Sequence, residues 1–146
     1  MRNGRAFAES RVKDAMTSGL VSCPPETPLG VVAQIMARKR VHAVYVFDYG
    51  SDDHETVEVW GIVSDIDLVA AARGDFDELT ARDSSVTPLL TIESDDRLDR
   101  ASQLLAENGV THLAVLDPHT RRPCGVLSTL DVARVLAGED VSEPER

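Results

Sequence analysis

The sequence predicts a mixed α/β (α+β) chain built as two β-α-β-β-α repeats that pack against each other with pseudo-two-fold symmetry. Three observations carry that prediction. First, residues 14–48, DAMTSGLVSCPPETPLGVVAQIMARKRVHAVYVFD, lie without a gap over residues 83–117, DSSVTPLLTIESDDRLDRASQLLAENGVTHLAVLD. Second, GIVSDIDL (61–68) and GVLSTLDV (125–132) repeat one pattern: glycine, two aliphatics, serine, two residues, aspartate. Third, stretches with helical apolar spacing alternate with short, nearly continuous apolar runs, the signature of helices laid on buried strands. Neither repeat is large enough to bury a sheet face and its helices alone, so the two are expected to pack together.

The elements follow in order. A short strand is expected near 20–23 and again near 89–92. A helix follows each. Thr27 is placed to cap the first, with Pro28 at its opening position, where a missing N–H costs little. Asp96 is the matching cap in the second. Leu29, Val32, Ile35 and Met36 recur at helical spacing, as do Leu98, Ala101, Leu104 and Leu105, and both stripes read as core. Asn108-Gly109 tolerates the left-handed backbone that ends a helix. VHAVYVF and VTHLAVL are apolar nearly throughout and read as strands. Each leads through a turn, longer in the first repeat (YGSDDHETVEVW), to a strand that ends in the glycine motif. Helices over 66–72 and 130–137 close the repeats. The boundaries read as an arm over 1–11, repeat one over 12–71, a polar linker over 72–82, repeat two over 83–137 and an acidic tail over 138–146.

Composition narrows the function. The 146 residues carry a formal charge of −10 and a pI near 4.7, a balance that repels nucleic acid and anionic lipid. No apolar run is long enough for a membrane span, and the opening MRNGRAFAESR lacks the apolar core of a signal peptide. Cys23 and Cys124 form neither a zinc site nor a disulfide framework, so a reducing cytoplasm is the expected compartment. No Walker loop, nucleophile elbow or nucleophile–base spacing suggests catalysis. The adjacent Asp52, Asp53 and His54 look like metal ligands, but three neighbours in a turn with no fourth donor read as a solvated tip.

The Ser-x-x-Asp element has two readings. Ser64 with Asp67, and Ser128 with Asp131, can each form a capping box, which needs no ligand. The element also sits where a strand ends and a helix begins, a place that suits an anion, and it does so twice. There the carboxylate can accept from the 2′- and 3′-hydroxyls of a ribose while the serine faces a phosphate. The preceding glycine leaves room for a flat base to approach.

On these residues the chain resembles the tandem CBS-domain pair, or Bateman module, of the stand-alone type. VKDAMT (12–17), VYVFD and LAVLD, and both Gly–Ser–Asp closing motifs carry the resemblance; Tyr45 and Ala114 stand where the family usually has a proline. The resemblance implies a regulatory sensor that is not an enzyme. It would bind an adenine nucleotide (AMP, ADP or ATP) in clefts between the repeats and transmit occupancy to a partner, with no cofactor required. Asp67 and Asp131 would bind ribose. Ser64, Ser128, His42, His112 and Arg40 would lie at phosphate. Val21, Val44, Leu89 and Leu113 would sandwich adenine. Such modules commonly form homodimers through their helices, and a regulated protein partner is implied. Two alternatives stay open: a structural dimerisation module with decayed sites, and a binder of another adenosyl ligand such as S-adenosylmethionine or a dinucleotide. Asp65 falls inside the first motif where Thr129 falls in the second, and Arg38, Lys39 and Arg40 face Glu107, Asn108 and Gly109, so the two clefts are expected to differ in affinity.

Overall fold

The computed structural model describes residues 2–49, 57–85 and 89–139, and divides into two compact units. One comprises Met1–Gly19 with Leu90–Arg146, the other Leu20–Leu89. The units therefore cut across the sequence repeats, because the first nineteen residues belong with repeat two.

In the unit holding repeat one, β2 (Ser22–Cys23) runs parallel to β3 (Ala43–Tyr49), which pairs antiparallel with β4 (Val57–Ser64). The helix α3 (Leu29–Lys39) crosses between β2 and β3, and α4 (Asp65–Ala71) follows β4. Cys23, Leu29, Val32, Met36, Val44, Val46, Val63 and Ala81 form one buried core between sheet and helices. The stretch read as a linker contributes to it. After a 3-10 turn over Phe76–Glu78, the short helix α5 (Ala81–Ser84) buries Ala81 completely, and Phe76 and Leu79 pack alongside.

The other unit repeats the plan. Here α1 (Arg2–Glu9), α2 (Val12–Ala15) and β1 (Thr17–Ser18) precede β5 (Thr91–Glu93), α6 (Leu98–Asn108), β6 (His112–Leu116), β7 (Pro123–Ser128) and α7 (Thr129–Leu136). The sheet order is β1-β7-β6-β5, with β5 parallel to β6 and the other pairs antiparallel. Val12 and Ala15 are buried in a core with Leu98, Ala101, Leu105, Leu113, Val115 and Leu127, and Phe7 of α1 packs against it.

The two units are assembled by the same backbone contacts. Val12 and Lys13 donate to the carbonyls of Asp96 and Ser94, and Leu98 donates to Ser10; at the shared offset, Ala81 and Arg82 donate to Thr27 and Pro25, and Leu29 donates to Leu79. Asp14 accepts the Arg11 N–H at 2.8 Å, and Asp83 accepts that of Thr80 at 2.9 Å. These contacts explain why the expected caps differ. The long helices begin at Leu29 after Pro28 and at Leu98 after Arg97, with no side-chain cap. Their first N–H groups are taken by carbonyls of the incoming segment, which does the work of a cap. Thr27 instead donates its hydroxyl to Pro24, and Asp96 accepts the Glu93 N–H. Gly109 ends α6 with φ 61°, as expected, while Arg40 ends α3 in the same left-handed conformation without being glycine.

The motif glycines make room for this assembly. A Cβ on Gly125 would stand 2.6 Å from the Thr17 carbonyl oxygen and 2.9 Å from Met16 Sδ; on Gly61 it would stand 3.0 Å from Ser85 Cβ. Met16 and Ser85 occupy matching places in the repeat. Each glycine also lies beside a shift in register, between Val46 and Phe47 opposite Gly61 and between Val115 and Leu116 opposite Gly125. Because backbone yields less readily than a side-chain end, Gly125→Ala is expected to destabilise the protein by about 1–3 kcal/mol in urea unfolding, the range for overpacking, and Gly61→Ala by less. Equal, negligible effects would contradict the close-packing account.

Candidate functional site

Each Ser-x-x-Asp element forms at the junction of a strand and a helix. Ser64 is extended (φ −93°, ψ 167°) at the end of β4, and its side chain accepts the Asp67 N–H at 3.4 Å while its own N–H donates to Asp67 Oδ2 at 2.9 Å. Ser128 at the end of β7 does the same with Asp131, at 3.2 and 2.8 Å. A second tie repeats as well: the Asp65 N–H donates to the His42 carbonyl and the Thr129 N–H to the Thr111 carbonyl, both at 2.9 Å, pinning the start of α4 to the residue just before β3 and that of α7 to the residue just before β6. The capping boxes expected from the sequence are therefore present in both units.

The aspartates are placed unusually for exposed helix starts. Asp67 is 6% exposed and Asp131 7%, and Ser64 is also buried, with Ser128 half-buried. A buried carboxylate must be hydrogen-bonded to be tolerated, and the capping box supplies one such bond through a single oxygen. A carboxylate has two oxygens and about four lone-pair directions, so the cap and a diol are chemically compatible.

The remaining predicted residues divide by environment. Around repeat one, His42 is exposed at the start of β3 and its Nδ1 lies 3.0 Å from Asp65 Oδ2. Arg40 is exposed at the end of α3, beside Arg38 and Lys39. Val21 is half-buried against the core, and its carbonyl accepts the Tyr45 N–H at 2.8 Å. Leu89 is half-buried. In the other unit His112 is half-buried, with Nδ1 2.8 Å from Thr111 Oγ1. Val44 and Leu113 are both 0% exposed within the helix-backed cores. On those two strands the positions pointing away from the helices are Tyr45, paired with Ser22 and Ile62, and Ala114, paired with Thr91 and Val126. Strand alternation, with a period of two, decides which set meets the helices; the apolar sequence runs did not reveal the phase.

Tyr45 stands out on that face. It is 1% exposed, and its hydroxyl has no hydrogen-bond partner among the described residues; burial pushes the phenol well above its ordinary pKa. Burial likewise raises the thiols of Cys23 and Cys124. Sequence reasoning anticipated the Asp65 carboxylate but not its hydrogen-bonding contact with His42, although both flank the motif strands. Asp52, Asp53 and His54 lie outside the described residues, as does the side chain of Trp60. His119 and Arg121 are exposed; backbone N–H groups of His119 and Thr120 hold Asp117 below the ordinary carboxylate range, and Arg121 pairs with Glu93. Among the described residues no group of three or more His, Cys, Asp or Glu is arranged to hold a metal ion. Among the described residues no helix is long and apolar enough to cross a membrane.

With this geometry in place, the chain was compared with known proteins. The family model "CBS domain" matches it twice, at residues 12–74 and 81–138. No curated protein matches. Solved structures are similar in fold. The CBS domain of a bacterial CNNM/CorC family Mg2+ transporter, in complex with ATP, is 19% identical with a TM-score of 0.78, covering 94% of each chain. A CBS domain pair in complex with 5′-methylthioadenosine and S-adenosyl-L-methionine is 18% identical with a TM-score of 0.75, covering 88% of this chain and 97% of that one. CBSX2 in complex with AMP is 24% identical with a TM-score of 0.68, covering 88% and 96%.

Proposed function

Because the chain belongs to the CBS domain family, we propose that it is a regulatory, non-catalytic module that binds an adenosine nucleotide and reports occupancy to a partner protein. The observation that carries this reading is the duplicated junction: a buried aspartate held by a serine cap at a strand end, formed in the same way in both units. A capping box alone needs no burial of its carboxylate. A carboxylate that must grip two hydroxyls gains from a fixed rotamer, since a preorganised group loses less entropy on binding. Asp67 and Asp131 are assigned to ribose, and Ser64, Ser128, His42, His112 and Arg40 to the phosphate side. Val21 and Leu89, half-buried, are assigned to the base, and Val44 and Leu113 to the packing that supports the strands beneath it. Similar folds solved with ATP, AMP and S-adenosyl-L-methionine support adenosine as the common element.

Calorimetry with AMP, ADP, ATP and their 2′-deoxy forms tests the reading. The expected result is binding by at least one ribonucleotide, with a rise in melting temperature because a ligand of the native state must stabilise it. Loss of one hydrogen bond to a charged group, about 1.5–3 kcal/mol, predicts roughly tenfold or greater weakening for the 2′-deoxy form. Equal affinities would remove the aspartates from the diol. No heat and no thermal shift at millimolar nucleotide would favour a structural module with decayed sites.

We also propose that the chain forms a homodimer through its helices. Ile66 and Val69 on α4 are 66% and 63% exposed, and Leu130 and Leu136 on α7 are 54% and 46% exposed, which is more apolar surface on two short helices than a monomer gains from. Sedimentation is expected to give a dimer, and Ile66→Glu with Leu130→Glu a monomer; a monomeric parent protein would contradict the proposal.

A further inference from the structure

Resting on the nucleotide reading above, we infer that Asp65 sets the ligand class of repeat one: adenosine carrying an uncharged or cationic 5′ substituent, such as a thioether or sulfonium, in preference to a phosphate. Repeat two, with Thr129 in that place, is the phosphate-accepting site.

The inference comes from a difference between otherwise matching junctions. In both, the residue after the capping serine donates its N–H to the carbonyl just before the central strand, His42 ahead of β3 and Thr111 ahead of β6. In repeat two its side chain is the neutral hydroxyl of Thr129, exposed and able to donate to a phosphate oxygen. In repeat one it is the Asp65 carboxylate, and both of its oxygens are engaged. Oδ2 lies 3.0 Å from His42 Nδ1, and Oδ1 accepts the Ile66 N–H at 2.8 Å. The carboxylate thus takes up two groups that a 5′-phosphate would otherwise use: the imidazole assigned to phosphate and a backbone N–H beside Ser64. It also sets a like charge directly next to the serine.

Two further observations bear on the balance. Arg38, Lys39 and Arg40 favour an anion, but all three are exposed at the end of α3, where salt screens them most. The imidazole nearest the junction in repeat two places Nδ1 2.8 Å from the neutral Thr111 hydroxyl. A sulfonium would reverse the sign of the Asp65 term, turning repulsion into attraction, and a thioether would remove it.

Asp65 and Thr129 are both exposed in the first turn of their helices, so exchanging them leaves the cores untouched. Calorimetry of the full chain with AMP and with 5′-methylthioadenosine is the test, on the parent protein, Asp65→Thr and Thr129→Asp. The parent is expected to show one class of site that favours the thioether ligand by at least fivefold. Asp65→Thr should shift the affinity ratio at that class toward AMP by about fivefold, and Thr129→Asp should weaken AMP at the other class by a similar factor. Both effects should shrink in 0.5 M salt, roughly as the Debye length falls toward a few ångströms. Ratios within twofold of the parent in both variants would overturn the inference while leaving nucleotide binding standing. A parent that binds neither ligand would overturn both together.

Discussion

Everything in this fold depends on a short run of backbone hydrogen bonds between an opening segment and the start of a long helix. Val12, Lys13 and Leu98 exchange them with Asp96, Ser94 and Ser10 in one unit; Ala81, Arg82 and Leu29 exchange them with Thr27, Pro25 and Leu79 in the other. A helix start leaves N–H groups without intrahelical partners. Here those groups and the incoming chain satisfy each other, and the same contact carries Val12 or Ala81 into the core at 0% exposure. Burying one valine side chain contributes about 1.5–3 kcal/mol. The contact therefore stabilises both the helix start and the packing. It also dictates glycine at 125, because the chain entering at Met16 and Thr17 occupies the space a side chain would need.

That constraint accounts for what was legible in the sequence and what was not. The gapless repeat and the two Ser-x-x-Asp motifs gave the architecture, the helix-facing stripes and both capping boxes, since all are local patterns of spacing. The exchange of opening segments was not legible. It places residues more than eighty positions apart in contact in one unit and fifty or more apart in the other, and the only local trace is an aspartate three residues after Arg11 and after Thr80. Thr27 and Asp96 looked like caps because their residue types suit capping, but a tertiary carbonyl reached the helix first. The strands at 43–49 and 112–116 are apolar on both faces, so periodicity could not tell that Val44 and Leu113 face the helices while Tyr45 and Ala114 face away.

The functional reading draws on the parts of the two units that are alike and the parts that differ. Likeness lies in the capped, buried aspartates, where a group that would serve as a cap when exposed is instead held rigid below the surface. Difference lies one residue earlier. Asp65 and Thr129 share a backbone role but present a carboxylate in one unit and a neutral hydroxyl in the other, and the residues facing them, His42 and Thr111, differ in step. On the proposed reading, duplication followed by divergence at such a position would let one chain distinguish ligands that share an adenosine and differ at the 5′ carbon. Tyr45 adds a second asymmetry, a buried hydroxyl without a described partner where the other repeat has the methyl of Ala114. A buried hydroxyl left without a partner costs about 1–3 kcal/mol, and Ala114 places no such polar group at the matching position.

The central claim is that the serine-capped aspartates hold a sugar while they hold a helix start. A crystal structure of the chain grown with an adenosine ligand tests it most directly. The account predicts the ribose 2′- and 3′-hydroxyls within hydrogen-bonding distance of the Asp67 or the Asp131 carboxylate, with the capping box intact. Density for the ligand elsewhere, with both carboxylates bonded only to their own serines and neighbouring chain, would contradict it.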